Sequence, residues 1–260
     1  MPRELSIRAD RAVRIARFLG RGVARVLVVG CNRGDDCRPF AAAGARCVVG
    51  LDIADDVGKD FAHRRVAYVR ASAEAMPFSD ASFDLVYSFA TMEHVLGIEA
   101  AFREMDRVTA PGGIVYSFAA PLWNSRDGHH MGGTFPQDPW IHLRMERDEI
   151  LSHCAARSIT QRSDGTPIVS VVDYMLSPEF FNRRPAREYR AACAALPGMR
   201  ALRNKLHHEP PEVLPAAILA ELEPKGYTGE ELRAVSHTYV GRRAGGIRAT
   251  LRSWFVAIGF

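Results

Sequence analysis

The chain has no apolar run approaching the roughly 20 residues that a membrane-spanning helix requires. Its first residues are charged (Arg3, Glu4, Arg8, Asp10, Arg11) rather than signal-like. No membrane partner is expected, and a cytoplasmic location is the default. Cysteine is sparse: Cys31, Cys37, Cys47, Cys154 and Cys193 are odd in number and include no C-x-x-C pair. They predict neither a disulfide framework nor a zinc site. Internal repeats are absent, and charge is nearly balanced, with a net +4 over 260 residues. Basic residues do gather late, from Arg183 to Lys205 and from Arg242 to Arg252. Solvated helix faces or a site for an acidic substrate account for them better than a nucleic-acid surface, because aromatic residues are scarce between them.

What is present is enough chain for one good core and a clear α/β rhythm. Leu5 to Leu19 reads as an amphipathic helix, ended by Gly20. Val26 to Val29 is a short β-branched run suited to a parallel strand covered on both faces. Gly30 ends it, and Cys31-Asn32-Arg33-Gly34 places two glycines four apart, where the backbone turns sharply and a ligand can approach. A helix starts near Asp35 or Asp36 and stops at Gly44; Arg46 to Leu51 makes the next strand, so Asp52 falls at its carboxyl end, 18 positions beyond Gly34. An acidic residue there can accept ribose hydroxyls from a nucleoside-like cofactor. A dinucleotide would want glycines at Gly30, Asn32 and Asp35, and a carboxylate at the last position repels phosphate. S-adenosylmethionine carries no phosphate, and its ammonium tolerates nearby carboxylates.

Further strands are expected at Val66 to Val69, Leu85 to Phe89 and Ile114 to Ala119, with a helix from Ile98 to Val108 and Pro111-Gly112-Gly113 punctuating its end. Alternation of this kind implies a doubly wound parallel sheet. Pro121 to Trp140, rich in Gly, Pro, His and Trp, reads as a long loop over the active face. Arg147 to Arg157 is read as a helix, Ser158 to Arg162 as a strand, Thr166 to Gly246 as a helical insertion, and Trp254 to Ile258 as a final strand. The expected division is a core of 1–165 with 247–260 and a helical cap of 166–246 that takes part in binding substrate.

Ala71 to Asp84, Glu93-His94-Val95, Glu104 to Val108 and Pro111-Gly112-Gly113 follow one another in order. In these blocks the chain resembles class I S-adenosylmethionine-dependent methyltransferases, in the small-molecule branch that reads A-E-x-L-P-F-x-D-x-S-F-D, E-H-V and E-x-x-R-V-L-x-P-G-G. The resemblance spans residues 24 to 120, with a weaker echo in the final strand. It implies a Rossmann-like, seven-stranded, mostly parallel sheet with its last strand antiparallel, and bound S-adenosyl-L-methionine. Position by position, it implies that Gly30, Cys31, Asn32 and Gly34 wrap the methionine end, Asp52 holds the ribose and Ile53 packs on adenine. Ser72, Ala73, Glu74 and Met76 would frame the adenine edge, and Ser88 and Phe89 would offer backbone carbonyls to the ammonium. Three positions depart from the pattern: Val28 and Ser72 replace aspartates, and Asn32 replaces the middle turn glycine.

Methyl transfer needs a positioned nucleophile and, for a hydroxyl, a base. His94, His130 and His142 are the candidate bases, and Trp123, His129, Trp140 and Arg144 the candidate substrate contacts. No metal site is assigned; one would need further ligands such as Asp127 or Asp138. The expected activity is methyl transfer to an oxygen or nitrogen of a small molecule, a sugar or natural-product intermediate. Two alternatives stay open: a cofactor-binding regulatory or partner protein without transferase activity, and a nucleic-acid methyltransferase. A homodimer is also left open.

Overall fold

The computed structural model describes residues 2–245. The expected strand at Trp254 to Ile258 and the proposed core segment 247–260 lie outside them. Chain order begins with helix α1 (Pro2–Phe18), strand β1 (Arg25–Val29), helix α2 (Arg38–Ala42), strands β2 (Cys47–Asp52), β3 (Val66–Arg70) and β4 (Phe83–Phe89), and helix α3 (Ile98–Val108). Strand β5 (Thr109–Ala119) follows, then helices α4 (Ile141–Arg144), α5 (Arg147–Ala156), α6 (Ile168–Met175) and α7 (Ala186–Ala194). The described chain closes with strand β6 (Met199–His208), helices α8 (Ala216–Leu222) and α9 (Gly229–Arg233), and strand β7 (Ala234–Arg243).

The strands form one seven-stranded sheet in the order β3-β2-β1-β4-β5-β7-β6. β1 to β5 pair in parallel, while β7 runs antiparallel to both β5 and β6. The β-branched and aromatic residues of β1 and β4 are buried on both faces of the sheet, which is why neither strand shows polar alternation. One face packs Leu27, Val29, Val86 and Val115 against α3 and α7; the other packs Val26, Val28, Leu85 and Tyr116 against α1 and Phe40 of α2. The order reverses between β1 and β4, so the crevice beyond their carboxyl ends is the topological switch point where doubly wound sheets bind ligands.

Several expectations need correcting. β6 and β7 belong to this sheet although both fall inside the stretch 166–246 read as a helical insertion, and β7 is the antiparallel neighbour of β5. Neither strand alternates in hydropathy: β6 is exposed along most of its length, and β7 buries Ser236, His237 and Thr238. Pro111-Gly112-Gly113 lies within β5, where a register shift opposite Phe83 and Leu85 accommodates it. Around Ser158 to Arg162 only an isolated bridge, Gln161 to Pro167, is formed.

The long loop after β5 is not loose. Met131, Phe135 and Ile141 pack with α5 and α6 into a small core of their own, and Trp123, Trp140 and Leu143 pack with Phe181, α8 and α9 into another. The loop is therefore anchored above the carboxyl ends of β4 and β5.

Candidate functional site

The turn after β1 takes left-handed backbone at three places, with φ of +73° at Gly30, +48° at Asn32 and +104° at Gly34. A Cβ at Gly30 would run into the Thr91 side chain, and one at Gly34 into the Tyr68 hydroxyl. Asparagine tolerates the left-handed region, so Asn32 adopts a backbone more often left to glycine. Cys31 is buried and its sulfur lies against Cys37, whose thiol is pushed up by its contact with Cys31 and by burial; the Cys31 thiol also donates to the Asn32 carbonyl of the turn at 3.7 Å. Asp52 closes the turn from β2: its Oδ2 accepts the Asn32 N–H at 2.8 Å and its Oδ1 the Ala54 N–H at 3.0 Å. The loop beyond reaches back, Gly58 donating to the Asn32 carbonyl and Arg33 pairing with Asp60 at 2.5 Å and Asp56 at 2.9 Å.

This crevice suits S-adenosylmethionine on physical grounds. Ile53 is 69% exposed immediately after Asp52, so an open apolar side chain stands next to a carboxylate able to accept hydroxyl hydrogen bonds. Burial, with Asp35 and Asp52 close by, pushes the Asp36 carboxyl up to about 7. A crevice that already crowds carboxylates repels phosphate and favours a cationic sulfonium and ammonium.

The remaining expected cofactor residues divide. Ser72 is exposed, its Oγ accepting the Glu74 N–H at 3.1 Å. Ala73 and Met76 are buried in the core; the Met76 N–H is held by Glu104 at 2.7 Å, and Glu74 is committed to the Gly97 N–H at 2.9 Å. These hydrogen bonds shape the loop. Ser88 is buried with an unpartnered Oγ, while the Phe89 carbonyl accepts the Thr91 hydroxyl at 3.1 Å and its ring stacks on Phe118. Thr91, behind Gly30 and bonded to the end of β4, was not singled out by the sequence.

Above this edge the structure gathers four histidines. The rings of His94 and His130 are 4.9 Å apart, as are those of His129 and His142. His94 Nδ1 lies 2.6 Å from the Phe180 carbonyl, His130 Nε2 3.2 Å from that of Pro121, and His142 Nε2 2.7 Å from that of Trp123. A carbonyl only accepts, so those nitrogens carry the protons, leaving lone pairs on His94 Nε2, His130 Nδ1 and His142 Nδ1. His129 is the reverse: its Nδ1 accepts the Met131 N–H, so its buried, unpartnered Nε2 carries the proton. Burial lowers all four, His129 to about 3 with help from His142, His130 to about 4 with help from His94, and His142 to about 4. All four are neutral at pH 7. Glu93, in the short turn that carries His94, is 3% exposed and is pushed by burial up to about 8.

Two expected substrate contacts have partners within the chain. Trp140 is completely buried, its indole N–H shared between the carbonyls of Asn124 and Leu232, so it is a core residue. Arg144 is paired with Glu221 at 2.8 Å on α8. Asp138, considered as a metal ligand, is occupied by His153 and Arg157. Trp123 and His142 instead line two adjoining cavities of about 340 and 590 Å³ together with Leu143 and Arg183. Arg183, whose guanidinium lies 4.9 Å from the Trp123 ring centre, went unnoticed because one arginine in a basic stretch carries no pattern.

Residues 27–117 match the methyltransferase domain family. A 24-methylenesterol C-methyltransferase 2 of Oryza sativa subsp. japonica is 37% identical over 102 residues, 36% of this chain and 28% of that protein. A malonyl-[acyl-carrier protein] O-methyltransferase of Enterobacter lignolyticus is 33% identical over 114 residues, 43% and 45% of the two chains. A demethylmenaquinone methyltransferase of Mycobacterium marinum is 34% identical over 43% and 48%. The chain thus spans less than half the length of these curated relatives. A crystal structure of an S-adenosylmethionine dependent methyltransferase from Mesorhizobium loti, 17% identical, superposes over 90% of this chain and 100% of its own with a TM-score of 0.52. The fold is the Rossmann-like methyltransferase fold, residues 27–117 match the methyltransferase domain, and this match and the fold together imply S-adenosylmethionine as the cofactor.

Proposed function

We propose that the protein transfers a methyl group from S-adenosylmethionine to an oxygen or nitrogen of a small polar molecule, a sugar or natural-product intermediate, held under the loop 121–146. The observation that carries this reading is the pair of cavities sharing Trp123, His142 and Arg183, which adjoin the histidine cluster over the carboxyl ends of β4 and β5. Their volumes, about 340 and 590 Å³, are of the size that encloses a small ligand. The relatives named above include C- and O-methyltransferases, so the acceptor atom follows from the side chains over the sheet rather than from the matched domain.

In this reading Gly30 to Gly34 and Asp52 seat the cofactor, with Ile53 beneath adenine and the carbonyls of Ser88 and Phe89 toward its ammonium. The cofactor supplies a methyl group already activated on sulfur. The chain then has to position the acceptor and take its proton. His142, neutral at pH 7 with its Nδ1 lone pair buried beside Trp123, is the base; His130 is the second candidate. Trp123 forms an apolar wall, and Arg183 replaces Arg144 as the cation that selects an anionic or polyhydroxylated acceptor. The helices α6 to α9 and the loop form the substrate cover, and β6 and β7 stay with the core.

Several late arginines support a small acceptor over nucleic acid, because they are paired within the chain: Arg184 with Glu99 and Glu188, Arg187 with Glu231, and Arg243 with Asp106. No helix among the described residues is long and apolar enough to cross a membrane.

Calorimetric titration with S-adenosylmethionine tests the premise, and absence of binding at millimolar cofactor rejects it. Binding without transfer across a panel of sugars and phenolic or amine intermediates favours the regulatory alternative. A complex with S-adenosylhomocysteine and an acceptor that leaves Trp123, His142 and Arg183 untouched rejects the assigned acceptor site.

A further inference from the structure

A second ligand set stands beside the acceptor cavities. One oxygen of Glu93 and one ring nitrogen each of His94 and His130 lie within 4.8 Å of one another, at the end of β4 and in the loop over it. Glu93 is an unusual residue to bury. Its Oε1 receives the Ala120 N–H at 3.3 Å, and its Oε2, sealed from solvent, has no partner. A desolvated carboxyl oxygen left bare costs stability unless a donor or a cation meets it.

The two imidazoles are prepared for a cation. The nitrogen that each fixes on a backbone carbonyl, Phe180 for His94 and Pro121 for His130, leaves the other nitrogen as an available lone pair. Metal-binding histidines show this arrangement, in which a carbonyl accepts the distal N–H and sets the tautomer and ring orientation. Phe181 packs against both rings, at 5.3 Å from His94 and 4.8 Å from His130, and keeps that side of the cluster apolar.

We propose that Glu93, His94 and His130 bind a divalent transition-metal cation. Two imidazole nitrogens and one carboxylate suit zinc, cobalt or iron(II) better than the all-oxygen preferences of magnesium or calcium. Donors around a tetrahedral ion at about 2.1 Å stand roughly 3.4 Å apart, so the three atoms have to draw in from their present spacing of up to 4.8 Å to bind one. Three protein ligands leave coordination positions over, through which an acceptor oxygen or water could reach the ion. The chelate does not involve His142, which remains the base of the proposed methyl transfer.

The test needs neither cofactor nor acceptor, so it fails or succeeds independently of the methyltransferase reading. Full-length protein stripped with a chelator is titrated by calorimetry with zinc, and separately with cobalt while its visible spectrum is followed. Saturable uptake of one ion per chain is expected, with a cobalt spectrum showing nitrogen ligation, and no comparable uptake of magnesium. Glu93→Gln and His130→Gln should each weaken zinc by at least about tenfold, while His63→Ala leaves it unchanged. Thermal melts establish that each variant is folded. If one misfolds, histidine NMR signals of the wild-type chain are followed during the zinc titration, and His94 and His130 should shift first. No saturable zinc uptake by the wild type, or uptake unchanged in both variants, overturns the proposal.

Discussion

Asp52 accepts the main-chain N–H of Asn32 at 2.8 Å, so the acidic residue that ends β2 also fixes the turn that follows β1. Asp52→Ala is therefore expected to do two things together. It removes the proposed ribose acceptor, and it deprives the Asn32 and Ala54 N–H groups of their partner. S-adenosylmethionine affinity should fall at least tenfold and the melting temperature should drop, by the equivalent of about 1–3 kcal/mol. Asp52→Asn, which keeps a carbonyl oxygen, should restore much of the stability and little of the affinity. Calorimetry and thermal melts separate the two effects.

Gly34 offers a sharper test of backbone demand. At φ +104° with the Tyr68 hydroxyl against the position a Cβ would take, alanine is both strained and obstructed. Gly34→Ala should destabilise the fold by about 1–3 kcal/mol and weaken cofactor binding more than Gly133→Ala, where nothing lies within 4 Å. Equal effects in denaturant melts and cofactor titration would contradict the cradle.

The elevated Asp36 predicts a pH dependence with a definite sign. Its folded value, about 7, lies above the ordinary carboxylate range, so the folded chain holds a proton that the unfolded chain has released. This group's contribution to stability is therefore greatest in acid and falls as pH rises from about 4 to about 7. Cofactor binding runs the other way. Ionisation near neutrality adds negative charge close to a cationic ligand, so S-adenosylmethionine affinity should rise between pH 6 and 8. Asp36→Asn should flatten both profiles.

His142 adds the opposite slope. Its folded value of about 4 lies below the usual 6.5, so the unfolded chain takes up the proton first and stability is lost as pH falls from about 6.5 to about 4. His142→Asn should remove part of that loss in thermal melts across this range, and it should lower kcat in the methyl-transfer assay.

Arg183 and Arg144 make a paired comparison. Arg183→Ala should raise the acceptor KM several-fold with cofactor affinity unchanged. Arg144→Ala, which breaks a partly exposed pair with Glu221, should leave the acceptor KM close to wild type and cost no more than about 1 kcal/mol of stability.

The first five strands and their helices were legible in the sequence because buried parallel strands write themselves as β-branched runs bounded by glycine. Val26 to Val29 and Leu85 to Phe89 do so. β6 and β7 were not, since an exposed strand of Arg200, Arg203 and Lys205 and a strand burying Ser236 and Thr238 carry no apolar period. At the site, the turn glycines and Asp52 could be placed from spacing. The commitments of Trp140 and Arg144 could not, because their partners, Leu232 and Glu221, lie 92 and 77 residues away. In the sequence Glu93 is only part of a block with His94; its isolation from any counter-charge is a property of the folded neighbourhood.

The border strand β6 gives the late basic cluster a use unrelated to ligands. Among the described residues it ends the sheet, and a sheet end exposes backbone donors and acceptors to any passing strand. Arg200, Arg203 and Lys205 stand exposed along it, and its pairing slips register between Ala201 and Arg203. A second chain that tried to extend the sheet would meet like charges and irregular hydrogen-bond spacing. Neutralising those three side chains would remove one barrier to edge-to-edge pairing between chains.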